Sequence, residues 1–227
     1  MSLVWDKVIP FSEQVISKFD TAAVLDLSHD YTIESENFTW KNYLFQDSNY
    51  RRAHIEIVDA REYKKIWVMH MTIFPYYDDP SPIFGFDVVC GANKITGAFH
   101  DFSKVDSCRL YNKFQRQMAM FPKFGLKARV LPEWANNIFS PNILALGNIT
   151  ENEDIDRLLT TSIANLDLYM YNVGMQSTNS YITTHDYYCK NQKLNHHTPA
   201  MMETIGVDPT LFKRYMDDTL FPEYHGT

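Results

Sequence analysis

Four ionisable side chains interrupt strand-like segments that are otherwise apolar. They are His54 and Glu56 in residues 53–58, His70 in residues 66–74 and Asp87 in residues 83–90. Alternate residues of a strand share one face, so these segments can bring Glu56, His70 and Asp87 onto the same face of a sheet. Burial of a lone charge is unfavourable and shifts its pKa instead. The sequence therefore predicts a candidate site of unusual acid–base character.

The same four side chains also fit a metal-dependent enzyme, because carboxylate and histidine ligands can come from neighbouring strands. Cys90, Cys108 and Cys189 are widely spaced and form no CxxC pair, so they predict neither a disulfide framework nor a zinc or iron–sulfur site. Any redox role must then use a bound cofactor or the substrate itself.

The elements that must position these side chains alternate between strands and helices. Strands are predicted at residues 31–33, 38–45, 53–58, 66–74, 83–90 and 142–147, with helices at 11–19, at 107–120 and over most of the chain after 150. Residues 91–93 read as a hairpin turn, and Thr150 to Glu153 as a capping box. Short turns between strands favour an antiparallel sheet. The prediction is an α+β fold with this sheet covered by helices.

The last helix carries a further acid. Asp208 is an N-cap followed by a proline, and the helix should run to about Leu220. Asp217 can pair with Lys213 four residues back. Asp218 instead lies at the edge of the buried stripe, near the C-terminus of the helix, where burial would raise its pKa. It is either a proton donor or a half-exposed acid with no role.

Composition narrows the class of protein. A chain of 227 residues with 45% hydrophobic content fits one domain, residues 1–227. The 15% aromatic share suits either a pocket for a flat conjugated ligand or an ordinary core. A net charge of -7 and a pI near 5.6 argue against nucleic-acid binding. Without a membrane span or a signal peptide, we expect a cytoplasmic protein with no membrane partner.

One segment departs from this acidic balance. Between residues 101 and 130 the basic side chains are Lys104, Arg109, Lys113, Arg116, Lys123, Lys127 and Arg129. Such a run is either a docking patch for an acidic partner, whose encounter it would steer, or a solvated helix face.

Several short motifs together resemble one family. They are His54-Ile55-Glu56, His70 five residues before Pro75, residues 82–87 (PIFGFD) with Gly91, Leu131-Pro132 with Trp134 and residues 138–140, Tyr188-Cys189 with Gln192 and Asn195, and residues 214–216 with Leu220-Phe221. From about residue 50 to the C-terminus, the chain resembles the ferredoxin-dependent bilin reductases, closest to their phycocyanobilin-forming branch.

The resemblance implies a three-layer α/β/α sandwich with biliverdin between the central antiparallel sheet and the C-terminal helices. It implies no bound cofactor, reduced ferredoxin as the electron donor and side chains as proton donors. Asp87 matches the central proton donor, His70 its partner, and Glu56 the acid that serves the D-ring vinyl group. Gln192, Asn195 and His197 match the region that contacts the propionates. Arg51 and Arg52 are alternative carboxylate partners because of their bidentate donors.

The product depends on two of these acids. Glu56 points toward phycocyanobilin, whereas Asp218 resembles an aspartate of viral phycoerythrobilin-forming relatives. We expect a four-electron reduction of biliverdin IXα to phycoerythrobilin through a dihydrobiliverdin, by a monomer of viral type in the host cytoplasm. The alternatives are reduction to phycocyanobilin and a bilin-binding protein without catalysis.

Overall fold

A continuous antiparallel sheet runs through the centre of the molecule. The computed structural model describes residues 4–27, 29–106, 108–122 and 125–225. The strands of this part are β1 Ala23–Val24, β2 Ile33–Glu34, β3 Thr39–Gln46, β4 Tyr50–Ala60, β5 Ile66–Pro75, β6 Phe84–Cys90, β7 Ile95–Phe102, β8 Lys127–Ala128 and β9 Leu144–Gly147. Their order in the sheet is β1-β3-β4-β5-β6-β7-β9-β8, and β2 also pairs with β3. Sequential strands are therefore neighbours from β3 to β7.

Helices cover both faces of the sheet. They are α1 Trp5–Ser17, α2 Arg61–Lys64, α3 Arg109–Ala119, α4 Glu133–Ile138, α5 Asn152–Asn172, α6 Ile182–Gln192, α7 His197–Ile205 and α8 Pro209–Tyr215. Apolar side chains of α1, α3 and α5 share one buried cluster with the sheet. Those of α6, α7 and α8 share a second cluster with it. The predicted α/β/α sandwich is thus confirmed.

The structure confirms most predicted elements and extends several of them. The predicted strands at 53–58 and 66–74 lie within longer strands, β4 and β5. Residues 91–93 turn between β6 and β7, where the Gly91 amide donates to the Lys94 carbonyl at 3.0 Å. The predicted strand at 31–33 was wrong in part, since His29–Tyr31 forms a 3-10 turn and β2 begins at Ile33.

The first residues of α5 differ from the prediction. The helix begins at Asn152 after Glu151, which has no side-chain cap hydrogen bond. The Thr150 hydroxyl donates to the Glu151 carboxylate at 3.0 Å and therefore caps no backbone amide. The predicted capping box was wrong because Thr150 lies one residue before the position from which a side chain reaches the first turn.

The C-terminal helix changes its winding near the end. Asp208 accepts from the Leu211 amide at 2.8 Å, which confirms the predicted N-cap of α8. After Tyr215 the chain continues as a π-helical turn, Met216–Leu220. Asp217 pairs with Lys193 of the α6 end at 2.8 Å. The predicted Asp217–Lys213 pair was wrong because Asp217 faces α6, whereas Lys213 points to solvent.

Bilayer insertion through a helix finds no support in the described residues. None of the helices in this part of the chain is both long and apolar enough to span a membrane.

Candidate active site

Three side chains form a row across three neighbouring strands. Glu56 of β4 lies directly opposite His70 of β5, and His70 lies directly opposite Asp87 of β6. Opposite residues of an antiparallel pair project to the same face with their Cβ atoms about 5 Å apart. The sequence prediction that these three residues share a face is therefore confirmed.

The row forms the floor of a deep cavity between the sheet and the helical layer that contains α4, α6 and α7. Its volume is about 410 Å³, within the range of small-molecule sites. Apolar walls come from Val68, Phe86, Val89, Leu131, Trp134, Phe139, Ile143, Tyr188, Met201, Met216, Leu220 and Phe221. A long, mostly apolar ligand that carries a few polar groups would fit this lining.

Asp87 and His70 differ in their preferred charge. Both side chains are half-buried and line the cavity. Burial raises the pKa of Asp87 to about 7, and the Arg129 charge only partly offsets this effect. Burial lowers the pKa of His70 to about 4. Between about pH 4 and pH 7 the pair therefore holds its proton on the carboxyl group, which is suited to general-acid chemistry.

Glu56 is the second acid on the floor of the cavity. Its side chain is 3% exposed, and its Oε1 atom accepts from the Trp40 indole at 2.7 Å. Burial raises the pKa of Glu56 to about 7, although hydrogen bonds from Trp40 and Tyr215 oppose the shift. Glu56 can therefore hold or release a proton near neutral pH.

His54 lies beside this row without reaching the cavity. Its Nε2 atom is 2.9 Å from the Asn42 amide oxygen and 3.3 Å from the Tyr215 hydroxyl. Burial, with the nearby charge of Arg52 as a smaller cause, holds the pKa of His54 well below its usual value. Across the described residues, no three His, Cys, Asp or Glu side chains converge on a point where an ion could sit. The geometry thus gives the metal-site alternative no support.

Three of the predicted substrate-binding residues line the cavity. Gln192 ends α6, Asn195 follows it and His197 begins α7. The Gln192 amide donates to the Tyr188 hydroxyl at 2.8 Å, and the Asn195 amide donates to Thr198 at 3.0 Å. The α6–α7 connection therefore brings polar groups to one end of the cavity.

The two predicted arginine ligands lie elsewhere. A register shift in β4 next to Arg51 and Arg52 interrupts regular strand alternation. The Arg51 guanidinium lies 4.8 Å from the Phe74 ring and 4.3 Å from the Tyr77 ring. Arg52 donates to the backbone carbonyl of Thr219. Neither arginine lines the cavity, so the prediction that they bind substrate carboxylates is not supported by the geometry.

Arg129 is a functional candidate that the sequence prediction left out of the site. It follows β8, lines the cavity and donates to the Thr96 carbonyl. Its charge also reaches Asp87 and acts to lower the pKa of that carboxyl. The only sequence signal was its place at the end of the basic run, which was interpreted as a docking surface.

Asp218 lies outside the cavity. Its side chain is exposed, and its Oδ2 atom accepts from the Tyr31 hydroxyl at 3.1 Å. The burial that would suit a proton donor is therefore absent. Nevertheless, Met216 and Leu220 of the same π-helical turn do line the cavity. The Asp218 backbone thus lies within the wall while its carboxylate faces outward.

The predicted basic patch is divided between two regions. Arg109, Lys113 and Arg116 belong to α3, whose buried side chains pack on the sheet face opposite the cavity. Lys104 follows β7 and Lys127 lies in β8, near the cavity residue Arg129. Lys123 lies outside the described residues.

The sequence matches a known protein family over most of its length. A family model described as ferredoxin-dependent bilin reductase matches residues 15–222. Among curated relatives, the phycocyanobilin:ferredoxin oxidoreductase of Synechococcus sp. strain CC9605 is 27% identical over 199 residues, 83% of this chain and 78% of the relative. The protein of the same name from Prochlorococcus marinus is 29% identical over 213 residues, 86% of this chain and 81% of the relative.

Solved structures share the fold. PcyX matches with a TM-score of 0.70 at 22% identity, over 96% of this chain and 99% of PcyX. Phytochromobilin synthase from tomato, in complex with biliverdin, also matches with a TM-score of 0.70, at 14% identity over 96% of this chain and 82% of the synthase. At these identities the similarity establishes the fold and nothing finer.

Proposed function

The chain belongs to the ferredoxin-dependent bilin reductase family and is an oxidoreductase, and we propose that it reduces biliverdin IXα to phycoerythrobilin. Biliverdin is the molecule bound in the tomato phytochromobilin synthase complex. The observation that carries the proposal is the row of Glu56, His70 and Asp87 on the floor of a mostly apolar cavity. Such a cavity suits a long conjugated tetrapyrrole that must receive protons.

The proposed reaction consumes four electrons and four protons in two equal stages. Ferredoxin delivers the electrons one at a time, and each added electron makes the tetrapyrrole more basic. Asp87 then donates a proton from its carboxyl group, regains one from water and donates again, so that it supplies both protons of the first stage, with neutral His70 directly opposite it in the sheet. The first stage adds two electrons and two protons across the C15=C16 bond and gives a dihydrobiliverdin.

The second stage reduces the A-ring diene and requires an acid at the other end of the pigment. We assign one of its two protons to Asp218, whose π-helical turn contributes Met216 and Leu220 to the cavity wall, and the other to Asp87 after it has regained a proton from water. Loss of the Tyr31 hydrogen bond and a rotation of the side chain would turn the carboxyl group inward. Asp218 would then act only after the first stage.

Phycocyanobilin is the second candidate product. It is favoured by the position of Glu56, which lies in the cavity with its pKa raised to about 7. In this alternative Glu56 protonates the D-ring vinyl group. For phycoerythrobilin formation, the D-ring vinyl must lie far enough from Glu56 to escape protonation, and a shift of about 1 Å suffices to change such a rate.

The propionates of the pigment need cationic or polar partners. Arg129 at the cavity wall supplies the guanidinium, and Gln192, Asn195 and His197 supply polar groups at the α6–α7 end. A carboxylate held by a guanidinium forms a strong charge-assisted hydrogen bond. Arg129 thus takes the role that the sequence prediction gave to Arg51 and Arg52.

The test is an anaerobic turnover with purified protein, reduced ferredoxin and biliverdin. The proposal expects a transient dihydrobiliverdin followed by phycoerythrobilin, identified by absorbance and chromatography. Phycocyanobilin as the product would overturn the assignment of Asp218 in favour of Glu56. A stable biliverdin spectrum would instead mean a bilin-binding protein without catalysis.

A further inference from the structure

A third acid lines the cavity and has no role in the reaction described above. Asp101 is the seventh residue of β7, lines the cavity and is 3% exposed. It lies directly opposite Gly85, two residues from Asp87 along β6, so it shares the face of the proton-donating row. By position it resembles a second proton donor.

Its hydrogen bonds point to a different role. The Oδ2 atom of Asp101 accepts from the Ser140 amide at 2.7 Å, and the Oδ1 atom accepts from the Ser140 hydroxyl. Ser140 is itself 3% exposed. Both carboxylate oxygens are therefore engaged by one residue of the opposite wall, which leaves the group poorly placed to donate to a ligand.

Ser140 closes the segment that forms this opposite wall. Trp134, Ala135 and Phe139 of α4 and its C-terminal end line the cavity, and the Trp134 and Phe139 rings lie 6.2 Å apart in edge contact. The amide of Lys104 also donates to the Ile138 carbonyl at 2.7 Å. The end of β7 thus contacts the α4 wall through two residues, Asp101 and Lys104. Of these two residues, Asp101 is the buried one.

We propose that Asp101 is a positioning residue that fixes the distance between the sheet and the Trp134–Phe139 wall, and thereby the width of the cavity for a flat conjugated ligand. The ligand identity rests on the proposed function. The pair of hydrogen bonds between Asp101 and Ser140, here called the tether, is a property of the ligand-free protein. Because two buried hydrogen bonds join Asp101 to Ser140, the loss of the Asp101 side chain should release the wall.

The experiment compares Asp101→Ala with Asp101→Asn. An asparagine can accept from the Ser140 amide and donate to the Ser140 hydroxyl, but it cannot act as an acid. In ligand-free protein, Asp101→Ala should raise amide hydrogen exchange in peptides covering residues 133–140 by about tenfold, because it removes two hydrogen bonds. Asp101→Asn should recover most of the protection. Urea unfolding identifies variants that have lost the fold as a whole.

A second readout follows biliverdin. Asp101→Ala should weaken biliverdin binding by about tenfold, and Asp101→Asn should restore the affinity and the reduction rate together. If Asp101→Asn binds biliverdin normally but stops its reduction, Asp101 is a proton donor and the inference is wrong. Unchanged exchange at residues 133–140 in Asp101→Ala would also overturn it. If the native protein binds no biliverdin, the proposed function fails while the exchange result still decides the tether.

Discussion

Asp87 and His70 face each other directly across strands β6 and β5, and burial moves their pKa values in opposite directions. The carboxyl group gains affinity for a proton, while the imidazole loses it, because each group prefers its neutral form in a desolvated site. Between about pH 4 and pH 7 the pair is therefore an uncharged acid beside an uncharged base. It can lose a proton to a reduced pigment without first separating charges.

The Asp87 proton should set the pH dependence of the first stage. The pKa of Asp87 is raised to about 7, so the protonated fraction falls as pH rises through this value. We expect the single-turnover rate of dihydrobiliverdin formation to decrease above about pH 7. Asp87→Asn should bind biliverdin and reduce the rate by at least about a hundredfold. Asp20→Asn, at an exposed position, is the control. A rate independent of both changes would remove Asp87 from the mechanism.

Glu56 should make the folded protein less stable as pH rises. Its folded-state pKa is raised to about 7 from an ordinary value of 4.5, so the stabilisation linked to its proton is full below pH 4.5 and is lost through pH 7. Glu56→Gln should therefore flatten the pH profile of the unfolding free energy, by about 1–3 kcal/mol over this window. Urea unfolding at several pH values measures this free energy of unfolding. The control is exposed Glu36→Gln; parallel profiles for native protein and Glu56→Gln would contradict the prediction.

Two adjacent aspartates provide a matched comparison for the second stage. Asp218→Asn should stop the reaction after two electrons and leave dihydrobiliverdin, because the proposed A-ring acid is missing. Asp217→Asn should give the native product, since Asp217 pairs with Lys193 at 2.8 Å. Chromatography of the bilins distinguishes the outcomes. If both variants release the native product, Asp218 has no part in the reaction.

Arg129 should recognise a carboxylate of the pigment. Arg129→Gln should weaken biliverdin binding by about tenfold, because one charge-assisted hydrogen bond is lost. Biliverdin dimethyl ester lacks the free carboxylates, so its affinity should be the same for the native and Arg129→Gln proteins. Absorbance titration measures both ligands. Equal losses for biliverdin and its ester would assign Arg129 to the shape of the cavity instead.

The basic side chains of α3 should act on ferredoxin rather than on the pigment. Replacing Arg109 and Arg116 by glutamate should raise the KM for ferredoxin at low salt, and the difference should shrink at high ionic strength. Biliverdin affinity should stay unchanged, because α3 packs on the sheet face away from the cavity. The double variant Lys65→Glu with Lys213→Glu, at two exposed positions, makes the same change in net charge and is the control. An unchanged KM would place the docking surface elsewhere, with Lys104 and Lys127 as the next residues to test.

The sequence by itself determined the sheet and the row of ionisable side chains on it. The alternation in residues 53–58, 66–74 and 83–90 places Glu56, His70 and Asp87 on one face, and short turns make neighbouring strands antiparallel. These are local consequences of strand geometry, in which every second side chain projects to the same side. The motifs along the chain also identified the family.

Only the tertiary structure decided which charges face the cavity. Arg129 lines it while Arg51 and Arg52 do not, because a register shift in β4 and contacts with Phe74, Tyr77 and Thr219 direct those two side chains elsewhere. Asp218 faces outward, although helical periodicity placed it at the edge of the buried stripe. A π-helical turn, a register shift and long-range hydrogen bonds arise from packing between segments distant in sequence. No local pattern encodes them.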